Sequence, residues 1–447
     1  MSRSVFHVTV LSNFPRAFDK YSGTYDKRHI AESTYPDQFF VLDASELAIG
    51  IEKATGLLRR LDLPGNRLLV LEAEVSEGAL RPNLRNGRGQ FLPGSSLPVT
   101  RVHYVDAAGQ LTPTTVEEAM AAALALRLPE MLPYAALKPR TVSVLPVALA
   151  CQANCRFCFS KASVSADTEP AVPDLAKVAR WVEEGAHAGA ERFVITGGGE
   201  PGLAKHEYLL MLIGMGRTHL GKTVLITNGM HLSRRDEEAR AQMLQDYAHA
   251  GLSVLSISRH HHDTQVNADI MGLDTRTPEV LATYASLAPT QRPDRLRLIC
   301  VLQKGGIDSP AQLHAYLDWA TAQGVTELCF KELYVSTTLE SAYHQNPEND
   351  WARANQVPLA MVTEFADNAG FEMVSRLPWG APVYAGTWRG KPLTIAAYTE
   401  PSLYWERANG VARSWNILAN GQCLVSLEDL ESGLARPGTT HISIKAI

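Results

Sequence analysis

Residues 141–158 read TVSVLPVALACQANCRFC, an apolar run that opens into three cysteines, Cys151, Cys155 and Cys158. The run has the composition of a buried strand, so the cysteines fall on the loop at its C-terminal end. Downstream of them one theme repeats. A helix over VPDLAKVARWVEEGAHAGA, with Leu175, Val178, Ala179 and Val182 at helical spacing and Pro173 near its start, leads to a strand at RFVIT. The alternation continues through helix HEYLLMLIGM, strand KTVLITNG, helix RDEEARAQMLQDYAHAG and strand LSVLSIS. Helix PEVLATYASLA, strand LRLICVL, helix AQLHAYLDWATAQG and strand ELCFKEL come next, then a helix around VPLAMVTEFADNAG. Ser309 and Pro310 open the penultimate helix as N-cap and first-turn proline. Strands alternating with helices predict an α/β fold with a parallel sheet, either a barrel or an open doubly wound sheet.

Upstream lies a different pattern. Residues 1–135 form an α+β accessory domain, with strands near VFHVTV, RLLVLEAEV and TRVHYVD and helices around SELAIGIEKATGLLRRL and TVEEAMAAALALR. A glycine- and proline-rich stretch, RPNLRNGRGQFLPGSS, crosses it as a loop. Residues 136–376 are the βα domain, and 377–447 a small β-rich extension. In the extension LTIAAYT and SWNILANGQCLVSL read as strands, the latter bent at Asn420-Gly421.

Composition limits the partners. Lys plus Arg is 42 against 47 Asp plus Glu, a net charge of −5 that gives no electrostatic case for nucleic acid. The longest apolar stretches reach about half the length of a membrane helix. The N-terminus, MSRSVFHVTVLSNF, alternates like a strand and lacks the apolar core of a signal peptide. With six cysteines in 447 residues, the expected location is the reducing cytoplasm. There, close-set thiols bind metal or do redox chemistry more often than they form disulfides.

Three thiolates fill three corners of a [4Fe–4S] cube and leave the fourth iron open to a non-protein ligand. A structural zinc site asks for a fourth Cys or His, and the flanking sequence has none nearby. One βα unit later comes FVITGGGEPGL, with Gly197, Gly198, Gly199, Glu200 and Pro201 at the end of a strand. Glycines there serve a tight strand-to-helix turn, or let a ligand approach bare backbone. Both features fall on the same end of the sheet.

Together these residues resemble the radical S-adenosylmethionine (radical SAM) superfamily. Its C-x3-C-x-aromatic-C motif is matched by Cys151, Cys155, Phe157 and Cys158, and its glycine-rich motif by Gly197 to Pro201. The resemblance implies a partial (β/α)6 barrel over roughly residues 140–375. It implies a [4Fe–4S] cluster on the three cysteines, with the methionyl amine and carboxylate of SAM on the open iron. The glycine strand would receive the SAM amine, and Phe157 would lie near the adenine. It further implies an electron donor such as a flavodoxin or ferredoxin, sensitivity to oxygen, and hydrogen abstraction by a 5′-deoxyadenosyl radical from a small-molecule or peptide substrate.

Other positions fit this reading. Ser256 and Ser258 share one face of the LSVLSIS strand, where family members place a polar side chain on the SAM ribose. Asn228, in ITNG, faces SAM or forms a turn. His260, in the run His260-His261-His262-Asp263, lines the substrate site, takes protons, or sits on a solvated loop. Cys300, Cys329 and Cys423 are isolated, so the C-terminal region lacks the cysteine set of the SPASM or twitch auxiliary cluster, which favours redox-neutral or reductive outcomes. No D-x-H-x-x-G segment of a cobalamin-dependent methyltransferase occurs. Cys329 or Cys300 would donate a hydrogen atom if a substrate radical is quenched; both would otherwise be core cysteines. His7 and Thr9, in VFHVT, resemble the H-x-T strand of ADP-ribosyltransferase-like domains, with no identifiable catalytic glutamate. The alternatives to a metabolite enzyme are a peptide-modifying maturase and a non-catalytic Fe–S or zinc sensor.

Overall fold

In the computed structural model, which describes residues 2–14, 40–42, 44–45, 47–61, 65–76, 80–82, 89–91, 99–126, 132–335 and 347–435, the chain divides at Met131/Leu132. The first unit also takes in Ser402–Ala408. That unit is built from β1 (Ser2–Val10), β2 (Phe40–Leu42), α1 (Leu47–Leu61), β3 (Leu68–Ser76), β4 (Val99–Val105), β5 (Leu111–Thr114) and α2 (Val116–Ala125). Its strands pair in the order β2-β1-β3-β4-β5, all antiparallel. Period-two alternation sends Val8, Val10, Leu68 and Val70 against Ala54 of α1, and Leu69, Leu71 and Val102 against Ala119 and Ala123 of α2. Thr115 and Glu118 close a capping box at the start of α2. His7 pairs with Leu71 and Thr9 with Leu69, on the α2 side, and each is only 4% exposed. The stretch read as a loop holds a short antiparallel ladder, Leu80–Pro82 against Gly89–Phe91. Its remaining residues, 83–88 and 92–96, lie outside the described ones.

The second unit contains the βα alternation: β6 (Thr141–Val144), α3 (Leu175–His187), β7 (Arg192–Ile195), α4 (His206–His219), β8 (Thr223–Thr227), α5 (Glu237–Ala250) and β9 (Val254–Ser258). It goes on through α6 (Thr264–Met271), α7 (Thr277–Ser286), β10 (Arg295–Leu302), α8 (Pro310–Ala322) and β11 (Glu327–Glu332). The strands β6 to β11 are neighbours in chain order and all parallel. This is a partial (β/α)6 barrel. Four of its helices begin on a side-chain cap: Asp174, Asp236, Asp263 and Ser309, the last followed by Pro310.

Later residues extend this sheet on both sides. β12 (Glu372–Arg376), β13 (Pro382–Trp388) and β14 (Lys391–Tyr398) add beside β11, with β14 parallel to it. β15 (Trp415–Ile417) adds in parallel beside β6 and turns into β16 (Cys423–Leu424) through Gly421 at φ +83°. One face of the sheet, with Val142, Phe193, Leu225, Leu255, Leu298 and Phe330, packs on helix residues such as Val178, Leu212 and Leu313 in a single core. The other face carries Ser143, Arg192, Ser256, Arg297, Glu327, Cys329 and Lys331, with Ser256, Arg297 and Glu327 side by side in register. Among the described residues no helix is long and apolar enough to cross a membrane.

Candidate active site

The cysteine loop leaves β6 and is held by two neighbours. On one side the glycine run lies against its entry: Thr196 N donates to Val144 O, Gly199 N to Val147 O at 2.9 Å, and Glu200 N to Ala150 O at 2.9 Å. A Cβ on Gly198 would sit 1.7 Å from the Ala148 carbonyl oxygen, and one on Gly199 2.0 Å from that of Ala150. The glycines are therefore required by the approach of two backbones. On the other side Asn154 N donates to the Met271 carbonyl at 2.7 Å, at the end of α6, and the Cys155 Sγ lies 3.8 Å from the same oxygen. Gly272, left-handed at φ +61°, ends that helix beside Asn154.

The thiols lie within one another's field. Burial pushes the Cys155 thiol up to about 12, reinforced by Cys158 and Cys151, and burial also raises Cys151. Thiolates crowded in this way need a cation to be held as anions. Among the described residues no three His, Cys, Asp or Glu side chains converge as ligands of a single ion do. The ligands of a four-iron cube bind different irons and need no such common point.

Glu200 braces this arrangement. It is 3% exposed and accepts hydrogen bonds from Thr227 Oγ1, from Gly202 N at 2.8 Å and from Asn228 N at 2.8 Å. Its carboxylate thus ties the glycine run to the end of β8, while burial raises its pKa. Asn228 shapes a turn and reaches toward the cysteine loop. Its Oδ1 accepts from Met230 N at 2.9 Å and shapes the turn; its Nδ2 points at Gln152 Oε1 (3.4 Å) and the Cys151 sulfur (3.9 Å). Three consecutive parallel strands thus deliver their ends to one sulfur-rich loop. The sequence model of the radical SAM superfamily matches residues 145–287, which span this loop, the glycine run and Asn228.

The chain carries a radical SAM domain.

Solved structures similar to this chain include SuiB of Streptococcus suis bound to S-adenosylmethionine, at 15% identity over 71% of this chain and 67% of that one, TM-score 0.42. A radical SAM methyltransferase of Sphaerobacter thermophilus matches at 13% identity over 68% and 74%, TM-score 0.38. Coproporphyrinogen III oxidase (HemN) of Escherichia coli, a radical SAM enzyme, matches at 12% over 53% and 54%, TM-score 0.34. No curated protein matches the sequence.

The remaining candidates separate by face. In the radical SAM domain Ser256 is fully buried on the face opposite the helices, and its Oγ has no hydrogen-bond partner; Ser258, two residues on, is partly open at the strand end. Cys329 shares that face, in register with Ile299 and Ala396. Cys300 does not. It belongs to the core under the helices, with its Sγ 3.5 Å from the His260 carbonyl. The histidine run is no solvated loop either, since Arg259, His260 and His261 are buried. His260 Nδ1 accepts from Val301 N at 3.0 Å, and its ring meets Phe157 edge-on at 4.8 Å. It is a brace between the ends of β9 and β10, packed against the aromatic residue of the cysteine motif. Burial, helped by Arg259, drives its pKa to about 3, so it stays neutral and does not trade protons near neutral pH.

The sequence reading missed Gln152, Thr227 and His231. His231 Nε2 contacts Tyr247 OH at 2.9 Å and Nδ1 contacts Thr227 Oγ1 at 3.4 Å, behind Glu200. Nothing in their spacing marked them, because Thr227 meets Glu200, Gln152 meets Asn228 and His231 meets Tyr247 across 16 or more residues.

Proposed function

We propose that this radical SAM enzyme holds a [4Fe–4S] cluster on Cys151, Cys155 and Cys158 and binds SAM against Gly197–Gly199 and Asn228. Bound there, the cluster and SAM would supply a 5′-deoxyadenosyl radical, on arrival of one electron from a donor such as flavodoxin or ferredoxin. The substrate is a small molecule or a peptide, from which hydrogen is abstracted before rearrangement, epimerisation or bond formation. The observation that carries the reading is the stitching of the glycine run onto the entry of the cysteine loop, which puts bare backbone beside three thiols. Phe157 and His260 would wall the adenine side, and Ser258, at the strand end, would meet the ribose. Glu200 acts through Asn228 and the loop, as a positioning residue. Where a substrate radical is quenched by a thiol, Cys329 is the donor.

The test is anaerobic. The protein is reconstituted with iron and sulfide, reduced and given SAM, and 5′-deoxyadenosine is measured by mass spectrometry. Wild type should bind about four irons and form the product, and the Cys151, Cys155, Cys158 triple alanine variant should do neither. A wild type that takes up no iron sinks the proposal and moves a metal-free or zinc-binding role to the front.

A further inference from the structure

The barrel strands gather charge at the ends where they begin, away from the cysteine loop. Arg192 opens β7, Arg295 opens β10 and Glu327 opens β11. Lys222 immediately precedes β8, and its carbonyl accepts from Phe193 N at 2.8 Å, which lays it beside Arg192. Arg297 is the hub of the group. It stands in register with Ser256 on β9 and with Glu327 on β11, so its side chain leaves the inner face between theirs.

The ion pairs at this end do not balance. Arg295 and Arg297 share one carboxylate, Glu327, at 2.8 and 3.2 Å. Arg140 and Arg192 share another, Glu191, at 2.8 and 3.8 Å, and Glu191 is 53% exposed, on the solvent side. Lys222, half-buried, makes no ion pair among the described residues. Asp294, next to Arg295 in the chain, lies with Tyr284 on the helix side. Five cations thus meet two carboxylates. Burial, and then the like charges of Arg297, Arg192 and Arg295, hold the Lys222 ammonium below the usual lysine range, with Glu327 alone pulling the other way.

Unpartnered donors lie among these cations. Ser256, beside Arg297, has no exposed surface and its hydroxyl has no partner; Arg192 Nε is enclosed and has none either. Buried polar atoms are ordinarily paired. A small oxyanion would pair both and neutralise the cations around them, and guanidinium forks match the geometry of carboxylate and phosphate. A hydroxyl so enclosed admits a group of a few atoms as the long Arg and Lys side chains shift, and excludes the surface of a macromolecule.

We infer that this end of the barrel binds a small dianionic oxyanion, a phosphate ester or a dicarboxylate, on Arg192, Lys222 and Arg297, with Ser256 donating to it. The site goes beyond the proposed reaction and does not need it. From Arg297 to the end of β10 at Leu302 the strand rises about 16 Å, so an anion held here is apart from the cysteine loop and the proposed SAM site.

Calorimetric titration of the full-length protein with inorganic phosphate and, separately, with succinate tests it. The protein is reconstituted with iron, left unreduced and saturated with SAM. At least one of the two should bind, phosphate pointing to a phosphate ester and succinate to a dicarboxylate. Lys222→Met, which breaks no ion pair, should weaken that binding about tenfold or more, whereas Lys222→Arg should retain most of it. Ser256→Ala should weaken it about fivefold, yet melt no lower than wild type without the anion, since its hydroxyl has no bond to lose. Thermal melts establish that the Lys222 variants are folded. No binding of either anion to wild type, or wild-type affinity in folded Lys222→Met or Ser256→Ala, overturns the inference. A protein that takes up no iron yet binds the anion through Lys222 would fail the proposed reaction and leave this site standing.

Discussion

At the scale of single residues, burial decides what each candidate can do. His260 and His231 are enclosed, with pKa values pushed down to about 3 and about 4 from the ordinary 6.5. The unfolded chain takes up protons on these rings near pH 6.5, while the folded chain resists until much lower pH. Stability from this source is therefore complete above about 6.5 and is lost as pH falls toward 4. The urea midpoint should rise with pH across that window, and His260→Gln and His231→Gln should each flatten the rise; two unchanged slopes would assign the proton uptake to other groups. The two barrel cysteines differ by face alone. Cys329→Ala should abolish or redirect a turnover that ends in thiol quenching, and Cys300→Ala should leave product unchanged while lowering the melting temperature through a small cavity. Product unchanged in Cys329→Ala would end its candidacy.

At the scale of elements, the glycine run and the cysteine loop are one object. Gly199→Val would drive a side chain into the Ala150 carbonyl and push the loop entry aside. Iron content per chain should fall while the far-ultraviolet spectrum stays that of the wild type; full iron loading would show that the two motifs move independently. All six barrel strands were legible, because each is a short apolar run closed by a turn or a helix cap. Helix α6 was not. Its residues, TQVNADIM, are too few and too polar for a 3.6-residue period, and one of them, Asn267, is buried because its Oδ1 accepts from His260 N at 2.7 Å. Only Asp263 and Gly272 announced it, as caps.

At the scale of the whole chain, the segment after β12 supplies neighbours to both ends of the six-stranded core, β14 beside β11 and β15 beside β6. A chain truncated after Arg376 should therefore collect in the insoluble fraction or bind hydrophobic dyes, since it bares two strand edges at once. A soluble, cooperatively melting product would show that the core is self-sufficient. The same closure has a temporal side. On a ribosome adding about 5–20 residues per second, the strand that bears the cysteine loop waits some tens of seconds for Trp415–Ile417 to be synthesised. During that interval the nascent chain holds its thiols on a strand with one flank unpaired. On the proposed function, iron uptake would follow the pairing of β15 with β6, so a chain stopped short of β15 should bind less iron than the full-length one.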